Sequence, residues 1–255
     1  MLGRIHTYEE FRESYDMARQ AGFDNINIDL ISAIPGQTAG GWERTLRAAA
    51  GLGPEHISAY SLIIEEGTRF YQWYGKGQTD QEKYPPLPDE DAERQMYERT
   101  EGILEEYGFH RYEISNYARE GKECRHNLGY WSRVEYLGIG LGASSFISNT
   151  RYHLCTDMIS YIERIGSGED LREEIEVLTK EDAMEEFMFL GLRMTRGVSE
   201  MDFVRLFGVK METVYGDVIR RLTANGLLKK EENNLALTEW GMDVSNFVLS
   251  EFLLG

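Results

Sequence analysis

The sequence predicts an α/β fold: a stretch of parallel sheet covered by helices, followed by a smaller helical module. Three observations carry this. A helix, strand, turn, helix order is followed by a second strand, which is the rhythm of parallel βα units. The last third of the chain reads as three helices and a β-hairpin, a winged-helix pattern. At 255 residues, with 42% hydrophobic and 28% charged residues, the chain is globular in composition and long enough for one large domain or two ordinary ones.

Taken in order, Thr7 followed by Glu10 is a capping-box pattern. Phe11, Tyr15 and Ala18 follow at helical spacing, and Gly22 can stop that helix. Asn25-Ile26-Asn27-Ile28-Asp29-Leu30-Ile31 reads as a strand, Pro35-Gly36-Gln37-Thr38 as a turn, and Trp42, Leu46 and Ala49 mark the next helix. Residues 56–64 supply the second strand. Ligands of parallel α/β folds bind at the carboxyl ends of the strands, and Asp29 lies near that end inside an otherwise apolar run. An acid there can equally cap a neighbouring loop.

The rhythm then fails. Residues 67–84 form an aromatic loop (Phe70, Tyr71, Trp73, Tyr74) ending in Pro85-Pro86-Leu87-Pro88, a lid or an anchor onto the core. Residues 89–107 predict a helix and 109–117 a strand. Residues 124–146 gather Cys124, His126, Asn127, Tyr130 and Trp131, followed by Gly138, Gly140 and Gly142 alternating with Leu137, Ile139 and Leu141. A strand with glycine at every second position leaves one face bare, against which a flat ligand or another backbone can lie.

Gly166-Ser167-Gly168-Glu169-Asp170 is the best linker, placing the domains at 1–165 and 166–255. Beyond it, Thr179 caps a helix over 181–195. Helices over 200–207 and 211–225, a hairpin turning at Asn233-Asn234 and a last helix over 239–253 complete the chain.

Net charge is −17, which disfavours nucleic acid and anionic membranes as partners. Residues 180–255 carry nine Lys/Arg and thirteen Asp/Glu, so a DNA-reading role for the winged-helix pattern is disfavoured too. No secretory signal or membrane-spanning run is evident, and two cysteines, Cys124 and Cys155, fit a reduced, cytoplasmic protein.

Asn27-Ile28-Asp29-Leu30-Ile31 with Pro35-Gly36-Gln37-Thr38 resembles the N-I-D-L-I-x-x-x-P-G-Q-T signature of the oxygen-independent coproporphyrinogen III oxidase family of radical SAM proteins. His126-Asn127-Leu128-Gly129-Tyr130-Trp131 resembles the H-N-x-x-Y-W motif of its haem-chaperone branch. Residues 137–145 resemble that branch's G-x-G-x-x-A-S element. The resemblance runs from about Leu2 to the end of the chain. It implies the C-terminal part of a radical SAM partial (β/α) barrel, followed by a helical winged-helix-like domain.

The same resemblance implies that Arg4 and Asp29 contact S-adenosylmethionine, by a guanidinium–carboxylate fork and by a carboxylate accepting from ribose or amino group. It implies haem or porphyrin at His126, Asn127, Tyr130 and Trp131, with His126 as an axial iron ligand and the aromatic rings packed on the macrocycle. A structural corner is the alternative for that motif, and Cys124 is a second candidate ligand. The family's [4Fe–4S] cluster needs a C-x-x-x-C-x-x-C loop, which two distant cysteines cannot form. The chain therefore reads as a C-terminal portion whose other half, or a pairing chain, lies elsewhere, and no reductive cleavage of S-adenosylmethionine is expected of it alone. A fragment of a coproporphyrinogen oxidase is the competing reading. One departure from the family pattern is Ser32-Ala33-Ile34, where Tyr-Gly-Leu is commoner.

Overall fold

A computed structural model of the protein describes residues 5–75 and 84–254. The chain forms two compact units, Met1–Cys124 and Arg125–Gly255.

The first unit contains α1 (Tyr8–Gln20), β1 (Asn27–Ser32), α2 (Ala39–Gly51), β2 (His56–Ser61), α3 (Arg69–Tyr74), α4 (Glu90–Glu105), β3 (His110–Arg111) and β4 (Asn116–Ala118). Local chemistry sets the helix starts. Thr7 and Glu10 complete the expected capping box of α1, and the Thr38 hydroxyl accepts from the Gly41 amide at the start of α2. The aromatic stretch expected as a loop instead forms α3, capped by Thr68; positions 76–83 of that stretch lie outside the described residues.

The sheet order is β1-β2-β4-β3, with β1 and β2 parallel and the remaining pairs antiparallel. The single strand expected over 109–117 is two short strands joined by a turn. Alternation along the strands divides the sheet into two chemically different faces. Ile28, Leu30, Ile57, Ala59 and Tyr117 face the helices; Leu30, Ile57, Ala59 and Tyr117 pack with Trp42, Leu46, Met96 and Leu104, and Ile28 packs with Tyr15 and Ala49. Asn27, Asp29, His56, Ser58 and Asn116 share the opposite face through the register Asn27↔His56, Asp29↔Ser58 and Ser58↔Asn116. Among the described residues β1 pairs with β2 alone, so its other edge is open. The loop after β1 holds the departure from the family pattern: Ala33 adopts φ 57°, a conformation that glycine reaches without the Cβ penalty.

The second unit contains α5 (Arg125–Trp131), β5 (Ser144–Ile147), β6 (Thr150–Leu154), α6 (Met158–Ser167), β7 (Arg172–Val177), α7 (Lys180–Gly191), β8 (Val198–Ser199), α8 (Glu200–Phe207), α9 (Met211–Ala224), β9 (Leu228–Glu231), β10 (Asn234–Leu237), α10 (Glu239–Asp243) and α11 (Ser245–Ser250). An antiparallel sheet β5-β6-β7 spans the linker proposed from composition. Gly168 ends α6 in the left-handed conformation, and β7 then returns to pair with β6. Helices α7–α9 and the sheet β8-β10-β9 form the winged-helix module around Met188, Leu192, Phe203, Tyr215 and Leu222. Its hairpin turns at Glu232-Asn233, one residue earlier than the sequence suggests, with Glu232 at φ 53°.

The glycine-alternating segment is not a strand. Tyr136 makes one bridge to Phe146, after which Gly140 (φ 105°) and Gly142 (φ 68°) turn the chain. Gly138 is required for packing, since a Cβ there would meet the Ser144 carbonyl oxygen at 2.2 Å. These glycines close a loop onto β5 and leave no bare sheet face for a ligand.

Candidate functional site

In the first unit, the polar sheet face carries a continuous chain of hydrogen bonds. Asn27 fixes its polarity: its Oδ1 accepts from the Ser58 hydroxyl at 3.3 Å, so its Nδ2 donates to Asp29 Oδ1 at 2.8 Å. His56 Nδ1 lies 2.7 Å from the same Asn27 Oδ1 and must therefore carry the proton. His56 Nε2 then accepts from the Tyr112 hydroxyl at 2.8 Å, and the Tyr112 oxygen accepts from the Cys124 amide at 3.4 Å. Burial holds the His56 pKa below its ordinary value, partly opposed by the charges of Asp29 and Glu123. Beside this chain, buried Glu113 accepts from the Ser115 amide and from Asn116 Nδ2.

Asp29 is the solvent-exposed end of the chain. It borders a groove of about 630 Å³ with His6, Arg44 and Thr45. An oriented, accessible carboxylate fits the acceptor that a cofactor hydroxyl or ammonium group needs. Arg4, the other residue assigned to S-adenosylmethionine by resemblance, lies outside the described residues. His56 and Tyr112, which hold Asn27 and through it Asp29, escaped the sequence reading. The available signal was a histidine opening an apolar strand and a tyrosine before Glu113.

In the second unit, the motif residues lie on α5. His126 and Tyr130 stand one turn apart on the same stripe, both exposed, with ring centroids 4.5 Å apart at 75°. Among the described residues neither ring nitrogen of His126 has a hydrogen-bond partner. Trp131 turns the other way, half-buried, under the Arg193 guanidinium at 4.4 Å. Asn127 is half-buried as well. His126 and Tyr130 are presented together, while Trp131 packs under Arg193 and borders a pocket that Tyr130 also lines. Cys124 ends the first unit half-buried and, like Cys155, is a free thiol.

No group of three His, Cys, Asp or Glu side chains among the described residues could hold a metal ion, and the chain's two cysteines cannot supply the three thiolates of a [4Fe–4S] site. The residues present do not fit that cluster. No helix among the described residues is long and apolar enough to cross a membrane. On α9, Arg220 pairs with Asp217 and Arg221 with Glu251, so neighbouring acids neutralise this helix's arginines.

The fold matches the solved structure of coproporphyrinogen III oxidase (HemN) from Escherichia coli, a radical SAM enzyme, with a TM-score of 0.77 at 19% identity, covering 98% of this chain and 59% of that one. This defines the fold class: the radical SAM fold of the coproporphyrinogen oxidase type, with its C-terminal module. The HemN C-terminal domain family matches residues 178–244. The heme chaperone HemW of Bacillus subtilis is 39% identical over 253 residues, 99% of this chain and 65% of that protein. HemW of Lactococcus lactis is 36% identical with the same coverage. Over nearly its whole length the chain is thus similar to HemW-type heme chaperones, on a fold of the HemN type. It spans 65% of the length of these two curated relatives.

Proposed function

We propose that this chain is the haem-presenting part of a HemW-type haem chaperone. The observation that carries this reading is the His126–Tyr130 pair. An exposed imidazole with both nitrogens unclaimed is held edge-on by a tyrosine ring one helical turn away. Such a nitrogen can serve as an axial ligand to haem iron, and the Tyr130 ring offers the adjoining macrocycle an apolar surface. Trp131 and Asn127 position the helix that carries the pair.

In the same reading, Asp29 and Arg4 contact S-adenosylmethionine. The hydrogen-bonded series from Tyr112 through His56 and Asn27 holds the Asp29 carboxylate for that contact. The cofactor's [4Fe–4S] cluster is held by residues outside this chain, on an N-terminal half or a pairing chain that adds to the open edge of β1. This chain contributes only the acceptor at Asp29 and the fork at Arg4. The two free thiols suit a reducing compartment, and the cytoplasm is the proposed location.

Titration of the purified chain with hemin tests the proposal. A saturable Soret shift that disappears in His126→Ala is the expected result; no shift in the parent chain would remove the haem reading. Anaerobic incubation with S-adenosylmethionine and a low-potential reductant should give no 5′-deoxyadenosine. Its formation would show that this chain is catalytically sufficient, as a coproporphyrinogen oxidase reading would demand.

A further inference from the structure

Beside α5 the second unit holds a pocket of about 310 Å³, at the small end of ligand-sized cavities. Its aromatic wall continues from the haem motif. Tyr130 meets Tyr136 at 4.7 Å, and Tyr136 meets Phe146 at 6.4 Å. Two guanidiniums flank Phe146, those of Arg133 at 5.1 Å and Arg151 at 5.7 Å from the ring centroid.

Both arginines share one carboxylate. Glu186, 6% exposed, accepts from Arg133 Nε at 2.9 Å and pairs with Arg151 Nη2 at 2.8 Å. Arg133 also donates to Asn149 Oδ1 at 3.0 Å. Two guanidiniums against one carboxylate leave the pocket one positive charge in excess, within a chain of net charge −17. Glu176 lies opposite Arg151 in the β6–β7 register but is exposed and does not line the pocket. The Arg133 side chain is only 12% exposed, whereas that of Arg151 is 41% exposed and can still reach a ligand.

The backbone adds a second, independent sign. Helix α5 ends with the Arg133 amide donating to the Tyr130 carbonyl and the Val134 amide to the Gly129 carbonyl, with Arg133 at φ 53°. Glycine or asparagine normally occupies such a left-handed helix end. An arginine there is accounted for by what its side chain does, not by the turn.

We propose that this pocket is a carboxylate subsite. Arg151, with Arg133 behind it, binds an anionic group at the edge of a planar aromatic ligand that lies against Tyr130, with Tyr136 edge-on to that ring at 85°. This rests on the haem reading and sharpens it: the ligand's metal faces His126, and one of its propionates enters the arginine pocket. A charge-assisted fork to a carboxylate in a half-enclosed site discriminates strongly against an uncharged ester.

The experiment compares hemin with hemin dimethyl ester, titrated optically against the full chain and two variants. The parent chain is expected to bind hemin about tenfold more tightly than the ester, the return of one charged pair. Arg151→Gln should abolish the preference by weakening hemin alone. Arg133→Gly, which suits the left-handed backbone, should do the same by leaving Glu186 and Arg151 to neutralise each other. Unchanged ester affinity in both variants reports an intact fold. Equal affinities for hemin and ester in the parent chain would overturn the subsite and leave the haem reading standing. A preference that survives in both variants would also overturn the subsite. Absence of a Soret change with either ligand would overturn the haem reading and the subsite together.

Discussion

The molecule contains two histidine–tyrosine pairs, one in each unit, and they are built for opposite ends. His56 is 5% exposed and both its nitrogens are committed, to Asn27 and to the Tyr112 hydroxyl. His126 is exposed, touches Tyr130 by ring packing alone, and keeps its nitrogens available. The same two residue types thus serve as an internal brace in one place and as a presented ligand in the other. What separates them is hydrogen-bond commitment, since a nitrogen that holds a buried partner cannot also hold iron.

The largest expected difference is in stability. His56→Ala opens a cavity and removes the acceptor of the buried Tyr112 hydroxyl, costing about 2–4 kcal/mol. His126→Ala should cost less than about 0.5 kcal/mol, as exposed substitutions do. Urea denaturation of the two variants checks this. Comparable losses in both would erase the distinction between brace and presented ligand. Tyr112→Phe sharpens it further. It removes only the hydroxyl that donates to His56 Nε2, and should lower stability by about 1–2 kcal/mol. Tyr130→Phe, whose ring contact survives the change, should be near neutral.

A smaller effect follows from titration. Burial depresses the His56 pKa below the 6.5 of a free imidazole. The unfolded chain therefore binds more protons in the window just below pH 6.5. The contribution of His56 is complete above that value and is lost as pH falls through the depressed folded value. Stability should decline on acidification across this range, and the decline should be shallower in His56→Gln than in the parent chain. Identical pH slopes would mean that His56 is not held neutral by its surroundings.

The contrast also explains what could be seen in the sequence. The helix caps at Thr7 and Thr179, the parallel β1–β2 pair and the winged-helix module were legible because each rests on local periodicity or on a side chain a few residues away. Strand position and residue clustering singled out Asp29 and the α5 motif, and the resemblance supplied the roles expected of them. His56 and Tyr112 were not legible, because their partnership links residues far apart in the chain across paired strands. The glycine-alternating segment misled for a related reason. Alternation in sequence implies a strand only when the backbone is extended, and Gly140 and Gly142 take positive φ values that alternation does not reveal. Likewise Trp131 has the right type for a ligand-stacking residue, yet helix phase turns it away from His126 and toward Arg193.

That last residue sets the smallest expected effect. The Trp131 indole nitrogen is buried and has no acceptor among the described residues, an arrangement that forfeits the hydrogen bond the N–H makes to water in the unfolded chain. Trp131→Phe keeps an aromatic face under Arg193 while deleting the unsatisfied donor. The lost ring volume and the recovered desolvation cost act in opposite directions, each on the order of 1 kcal/mol. A net change within about 0.5 kcal/mol in thermal or urea denaturation is therefore expected, and hemin affinity should change little because phenylalanine keeps an aromatic wall where Trp131 borders the pocket beside Tyr130. A loss of hemin affinity without loss of stability would instead show that the indole itself contacts the ligand.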